Sequence, residues 1–165
     1  MTSKTMVYSS GDWIVHRHHG VGQIKGTEVK DIGGRKNTYY RVQTDDSTFW
    51  LPLEKLNDEM LRPLALPVEM QQALDVLSRS PRAMDANPVE RKNQISKVKP
   101  NNSPVDIAEI LRDLSAHNRE KKQVSQSDSE ALRHFTGIFL AEWSVCMNME
   151  IGVVKQQLND MLESA

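Results

Sequence analysis

The chain has little of what most secreted proteins and many enzymes are built on. Its 165 residues include one cysteine, Cys146, so no internal disulfide can form and no pair of thiols is present. Cys146 sits among Trp143, Val145 and Met147, an apolar setting that suits a buried structural thiol better than a nucleophile. No apolar run approaches the roughly 20 residues that a membrane span requires. The polar start Met1-Thr-Ser-Lys-Thr lacks the apolar stretch of a secretory signal. A cytoplasmic protein with no membrane partner is therefore expected. A phosphate-binding glycine loop and a Gly-x-Ser-x-Gly elbow are missing as well, which points to a non-enzyme with no catalytic residues and no cofactor.

Charge of one sign is also missing overall, since the formal net charge is −1, and taken alone this argues against nucleic acid as a partner. The distribution qualifies that reading. From Arg79 to Lys99 the six basic residues Arg79, Arg82, Arg91, Lys92, Lys97 and Lys99 face only Asp85 and Glu90, a local excess of four positive charges. Neutralising roughly four phosphates gives weak, strongly salt-dependent binding, so such a patch needs a second anchor to hold it on DNA.

What is present begins with a run of short strands. Trp13-Ile14-Val15, bounded by Gly11-Asp12 and His19-Gly20, reads as a short buried strand, and Gly20 with Gly22 supplies the freedom for a reversal. Gln23 to Ile32 alternates polar and apolar and ends at the hairpin signal Gly33-Gly34. Asn37 to Thr44, with Tyr39-Tyr40-Arg41-Val42 at its centre, is the next strand. Ser47 to Leu53 follows after a turn at Asp45-Asp46. Pro52 has no N–H to give a ladder, so that strand lies at an edge or is ending. Several short strands in about 55 residues predict an all-β SH3-like or Tudor-like barrel.

A boundary near Leu66 divides residues 1–66 from 67–165, where the period changes. Val68, Met70, Ala73, Leu74 and Leu77 recur at helical spacing after Pro67. Asn87-Pro88-Val89-Glu90 reads as a helix start with Asn87 as cap, Pro88 in the first position and Glu90 closing a capping box. Ser103-Pro104 starts another, with Ile107, Ile110, Leu111 and Leu114 on one stripe. Asn118 to Ser127 is a polar connector. Leu132, Phe135, Phe139, Leu140 and Trp143 mark the longest helix, and Ile151, Val154, Leu158, Met161 and Leu162 a final one. The prediction is an all-α bundle of about five helices behind the β domain.

These motifs carry a resemblance. Gly-Asp-x-Ile-Val from Gly11, His19-Gly-Val-Gly22, Gly33-Gly34 and Tyr39-Tyr40 resemble the RNA-polymerase-interacting module of the CarD/CdnL regulators, shared with the transcription-repair coupling factor. Asp106-Ile-Ala-Glu-Ile-Leu-Arg-Asp-Leu114 resembles a helical segment of the CarD/CdnL tail. The resemblance implies a transcription regulator whose first module pairs with a lobe of the polymerase β subunit. Lys30 falls where the family often has a basic contact, and Trp50, Leu51 and Pro52 fall on the interacting strand. Trp50 departs from the polar or basic residue expected there; core filling and an exposed aromatic anchor are both open to it. Leu61-Arg62 resembles the pair that closes the module.

The resemblance further implies that the helical domain contacts promoter DNA near the upstream edge of the bubble and modulates open-complex stability. The candidate contacts are Arg79, Arg82, Pro88, Arg91, Lys92, Lys97 and Lys99. Pro88 stands where the family has a Trp that wedges into the minor groove. Apolar side chains including Pro can unstack a base step, but Pro lacks the area of an indole. Arg91 matches a family basic position, and Glu90 replaces another. Pro88 and Glu90 thus favour a rival reading, an interaction module whose helical domain has lost DNA. The expected assembly is a monomer carried to the nucleoid by polymerase. His16, His18 and His19 could present imidazoles together, but His19 falls on the family's His-Gly turn and no His-Glu-x-x-His accompanies it, so no metal is expected.

Overall fold

The computed structural model describes residues 7–164, which fall into two compact units, one ending at Leu64 and the other beginning at Ala65. The first is a five-stranded antiparallel sheet. Its strands are β1 (Trp13–His16), β2 (Gly20–Ile32), β3 (Arg35–Gln43), β4 (Thr48–Pro52) and β5 (Leu61–Pro63), in the order β4-β3-β2-β1-β5. Ile14, Ile24, Tyr40, Val42, Phe49, Leu51, Leu56 and Leu61 form one buried cluster. Because β4 and β5, at opposite ends of the ladder, both feed that cluster, the sheet curls around a single core. No ladder joins β4 to β5 among the described residues.

Three local readings change. The stretches expected as the second arm of the first hairpin and as a separate alternating strand are one strand of 13 residues, β2, with a register shift between Ile24 and Gly26. The bulge adds one residue, so Ile24 and Thr27, an odd distance apart, stand opposite the buried Val42 and Tyr40, while the apolar Val29 and Ile32 further along are exposed. The reversal itself occupies the residues between His16 and Gly20, which pair with each other, and Gly20 takes φ 74°. Gly22, expected to share in the turn, lies inside β2 opposite Ile14, where a Cβ would sit 2.7 Å from Val42 Cγ1. Leu61-Arg62, read only as the module's closing pair, is the start of strand β5 on the free side of β1.

The second unit holds α1 (Pro67–Leu77), α2 (Pro88–Ser96), α3 (Pro104–Arg119), α4 (Gln126–Met147) and α5 (Ile151–Ser164). Four of the five start with a capping side chain; the starts at Pro67, Pro88 and Pro104 fall where they were expected, whereas Ser125 lies inside the expected connector. The Asn87 side chain accepts from the Val89 and Glu90 amides, Ser103 from Asp106, Ser125 from Asp128, and Glu69 Oε1 from Leu66. The capping box at Asn87 is not closed by Glu90, because the Asn87 N–H donates to Asp85 Oδ1 at 2.9 Å instead. Helices α3 and α4 both run into the stretch expected as connector, leaving six residues between them. Met70 and Leu77 of α1, Ile107, Leu111 and Leu114 of α3, Phe139 and Trp143 of α4, and Val154 and Leu158 of α5 supply the buried core. Ile151, expected on the apolar stripe, is exposed.

Candidate functional site

Strand β4 is paired on one side only, Arg41↔Trp50 and Tyr40↔Leu51 being typical of its register with β3. Alternation along it separates two roles. Phe49 and Leu51 turn into the core, and Thr48 and Trp50 turn out. Trp50 is therefore an exposed aromatic, 39% accessible, and not core filling. Its indole is held at two points: Nε1 at the ring edge donates to Glu28 Oε2 at 2.8 Å, and Lys30 Nζ stands 3.5 Å from the ring centroid. Lys30 also reaches Tyr39, 5.9 Å from that ring, and Glu28 pairs with Arg41 at 3.5 Å. Glu28, Lys30, Arg41 and Trp50 thus share the outer face of β2, β3 and β4 through cross-strand spacing. A shallow hollow of about 470 Å³ lies beside them, lined by Lys25, Glu28, Arg41, Gln43, Thr48 and Trp50.

Of the four residues singled out in this unit, Lys30 and Trp50 meet, while Leu51 is buried at 6% accessibility and offers a partner only its backbone. Pro52 ends the strand half-buried, with no N–H to donate. Glu28 was missed; the visible signal was its place two residues before Lys30, on the same face of an alternating strand.

The histidine run serves the turn. Buried His16 accepts at Nδ1 from the amides of His18 at 3.0 Å and His19 at 3.2 Å, and the His19 ring stacks on Phe49 with centroids 4.0 Å apart. Burial, with smaller contributions from His19 and His18, pushes the His16 pKa down to about 4. Its lone pair is spent on backbone, so it is no ligand. Among the described residues, no group of three or more metal-ligating side chains converges.

In the helical unit Arg79, Arg82, Pro88, Lys92, Lys97 and Lys99 are exposed. Arg91 is a correction: it is 6% accessible, and its guanidinium is committed to the interior. Nε and Nη2 donate to the Asp128 carboxylate, the shortest contact being 2.8 Å, and Nη1 donates to the Asp85 and Ala86 carbonyls at 3.0 and 3.3 Å. Burial would raise the Asp128 carboxyl, but hydrogen bonds from Arg91 and Ser125 and the Arg91 charge outweigh it and hold the pKa below its usual value. Burial and the Arg91 charge lower the His117 pKa, so this neighbour favours the neutral form. Arg82 also has acidic surroundings. Its amide donates to Asp113 Oδ1 at 2.9 Å, and it shares a hollow of about 440 Å³ with Asp106, Glu109 and Asp113. The half-buried Cys146 thiol donates to the Ala65 carbonyl at 3.1 Å, and burial raises its pKa, which favours the protonated form.

Residues 8–65 match the model of the CarD-like/TRCF RID domain. Among curated proteins, the transcription-repair-coupling factor of Staphylococcus epidermidis is 32% identical over 104 residues, 63% of this chain. That of Staphylococcus aureus is 31% identical over the same length. The aligned stretch is longer than the whole sheet unit and so extends into the helical one. It spans only 8% of those much longer relatives. The match at residues 8–65 covers the five-stranded sheet and the motif residues, so the sheet unit is similar to the CarD-like/TRCF RID domain.

Proposed function

We propose that the chain is a transcription regulator that works without catalysis: its sheet unit docks on the β subunit of RNA polymerase, and its helical unit contacts promoter DNA near the upstream edge of the bubble. The observation that carries the reading is the outward Trp50 on edge strand β4, pre-oriented by Glu28 and Lys30. An edge strand offers backbone groups for strand addition, and an immobilised aromatic beside it supplies contact area at low entropic cost. Lys92, Lys97 and Lys99, with Arg79 and Arg82, remain exposed for phosphates. Docking raises their effective concentration at DNA to about the millimolar range, so a weak patch suffices. The protein acts as a monomer in the cytoplasm and joins the nucleoid through polymerase.

Trp50→Asp tests this in the full chain, by placing a charge where contact requires desolvation. Capture of core polymerase should fall by about tenfold or more. Unchanged capture by a folded Trp50→Asp protein removes this surface from the account. Leu51→Asp is a poor probe, because the side chain is core and its loss would be felt as unfolding.

A second reading, a polymerase- or protein-binding module whose helical unit has lost DNA, draws support from the interior position of Arg91 and the carboxylates around Arg82. Charge reversal at Lys92 and Lys97 separates the two. It lowers promoter occupancy at low salt if DNA is the partner, and changes nothing on any promoter if protein is.

A further inference from the structure

Helix α2 is polar almost throughout, and its only buried side chains are Arg91 and Ile95, one helical turn apart on the same face. An apolar stripe normally fixes how a helix is rotated about its axis; here a single isoleucine does half of that work. The other half falls to a guanidinium whose donors reach three places at once: the Asp128 carboxylate in the first turn of α4, and the carbonyls of Asp85 and Ala86 just ahead of α2. The same approach segment is tied back onto α2, where Gln94 Oε1 accepts from the Asp85 amide at 3.1 Å. Asp128 is itself seated by α4's cap, its amide donating to Ser125 Oγ at 3.1 Å.

We infer that Arg91 is a positioning residue and not a phosphate contact: the Arg91–Asp128 clamp sets the rotation and starting point of α2, and thereby the direction in which exposed Pro88 and Lys92 are presented. This rests on the DNA reading of the helical unit, but it inverts what charge counting predicts. Removing the Asp128 carboxylate makes the unit more positive, which should tighten binding to DNA. With the clamp as the operative feature, the same change loosens α2 and weakens binding.

The test uses the full chain on a polymerase–promoter complex, titrated with salt between about 50 and 200 mM. Asp128→Asn and Arg91→Met each lower promoter occupancy several-fold. The double variant Arg91→Met/Asp128→Leu, an apolar replacement of both partners, recovers most of it, because burying neither charge is close to neutral for a buried pair. The slope of log K against log salt in the double variant stays at the natural value, whereas Lys92→Gln reduces it by about one. An Asp128→Asn protein that binds more tightly, or a double variant whose slope falls by about one, overturns the clamp and restores Arg91 as a contact. If Lys92→Gln and Lys97→Gln leave the slope untouched, the DNA reading fails by itself. The clamp is then judged by hydrogen exchange at residues 91–95, which should be faster by roughly tenfold in Asp128→Asn and restored in the double variant. Unchanged exchange in Asp128→Asn overturns it.

Discussion

At the scale of single residues, His16 shows how an imidazole can be committed to structure. Its Nδ1 accepts two backbone amides, which requires the neutral form, and its pKa is depressed from 6.5 to about 4. A base held neutral by the fold contributes stability fully above the unfolded pKa of 6.5 and loses it as pH falls toward 4, with a slope on the order of 1.4 kcal/mol per pH unit. The β1 and β2 amides should therefore exchange progressively faster from pH 6.5 down to pH 4 in the natural protein, measured as protection factors to remove intrinsic pH effects. His16→Asn, which keeps an acceptor but cannot titrate, should show a flat profile across that window. Asp128 acts in a lower one: its depressed pKa means stability present above the ordinary carboxylate value and lost only below it.

At the scale of elements, two positions decide whether a strand or a helix sits as it does. Gly22 allows β2 to pass Val42 closely, and a methyl group there would meet Val42 Cγ1 at 2.7 Å and the Gln43 carbonyl at 3.3 Å. Gly22→Ala should cost about 1–3 kcal/mol in denaturant unfolding of the sheet unit, as overpacking does, while Gly137→Ala, at an open helical position, should not. Pro88 occupies the first turn of α2, exposed beside Val89, with Asn87 capping both following amides. Pro88→Trp should keep the helix start, because Asn87 retains its acceptor, and should lengthen open-complex lifetime on a linear promoter by supplying a flat apolar wedge. An unchanged lifetime would mean that α2 does not reach the melted edge.

At the scale of the whole molecule, the chain has a sheet unit with an aromatic on an open edge and a helical unit with exposed lysines on and just after a polar helix, and the proposed function assigns polymerase to the first. Binding to polymerase should therefore reside in residues 1–66. That fragment should compete with the full chain for core polymerase at comparable affinity, and residues 67–165 should not compete. Competition by the helical half would relocate the docking surface. Promoter occupancy should require both halves in one chain, since separate halves lose the effective concentration that makes a weak patch useful.

The sequence alone carried the kind of most elements, though not strand β5 or the continuity of β2. Alternation, Gly-Gly turns and Asn/Ser caps are local signals, so the β-then-α order, the helix starts at Pro88 and Pro104, and the family motif were readable without coordinates. Side-chain commitments between distant positions were not. Whether Trp50 filled the core depended on strand parity, and the parity of β2 depended on a bulge that leaves no unambiguous mark. Arg91 looked like one more cation in a basic run because its partner, Asp128, lies 37 residues further on, on another helix. Charge is legible in one dimension, but whether a charge faces water or a carboxylate is settled by packing, and packing exists only once the helices have met.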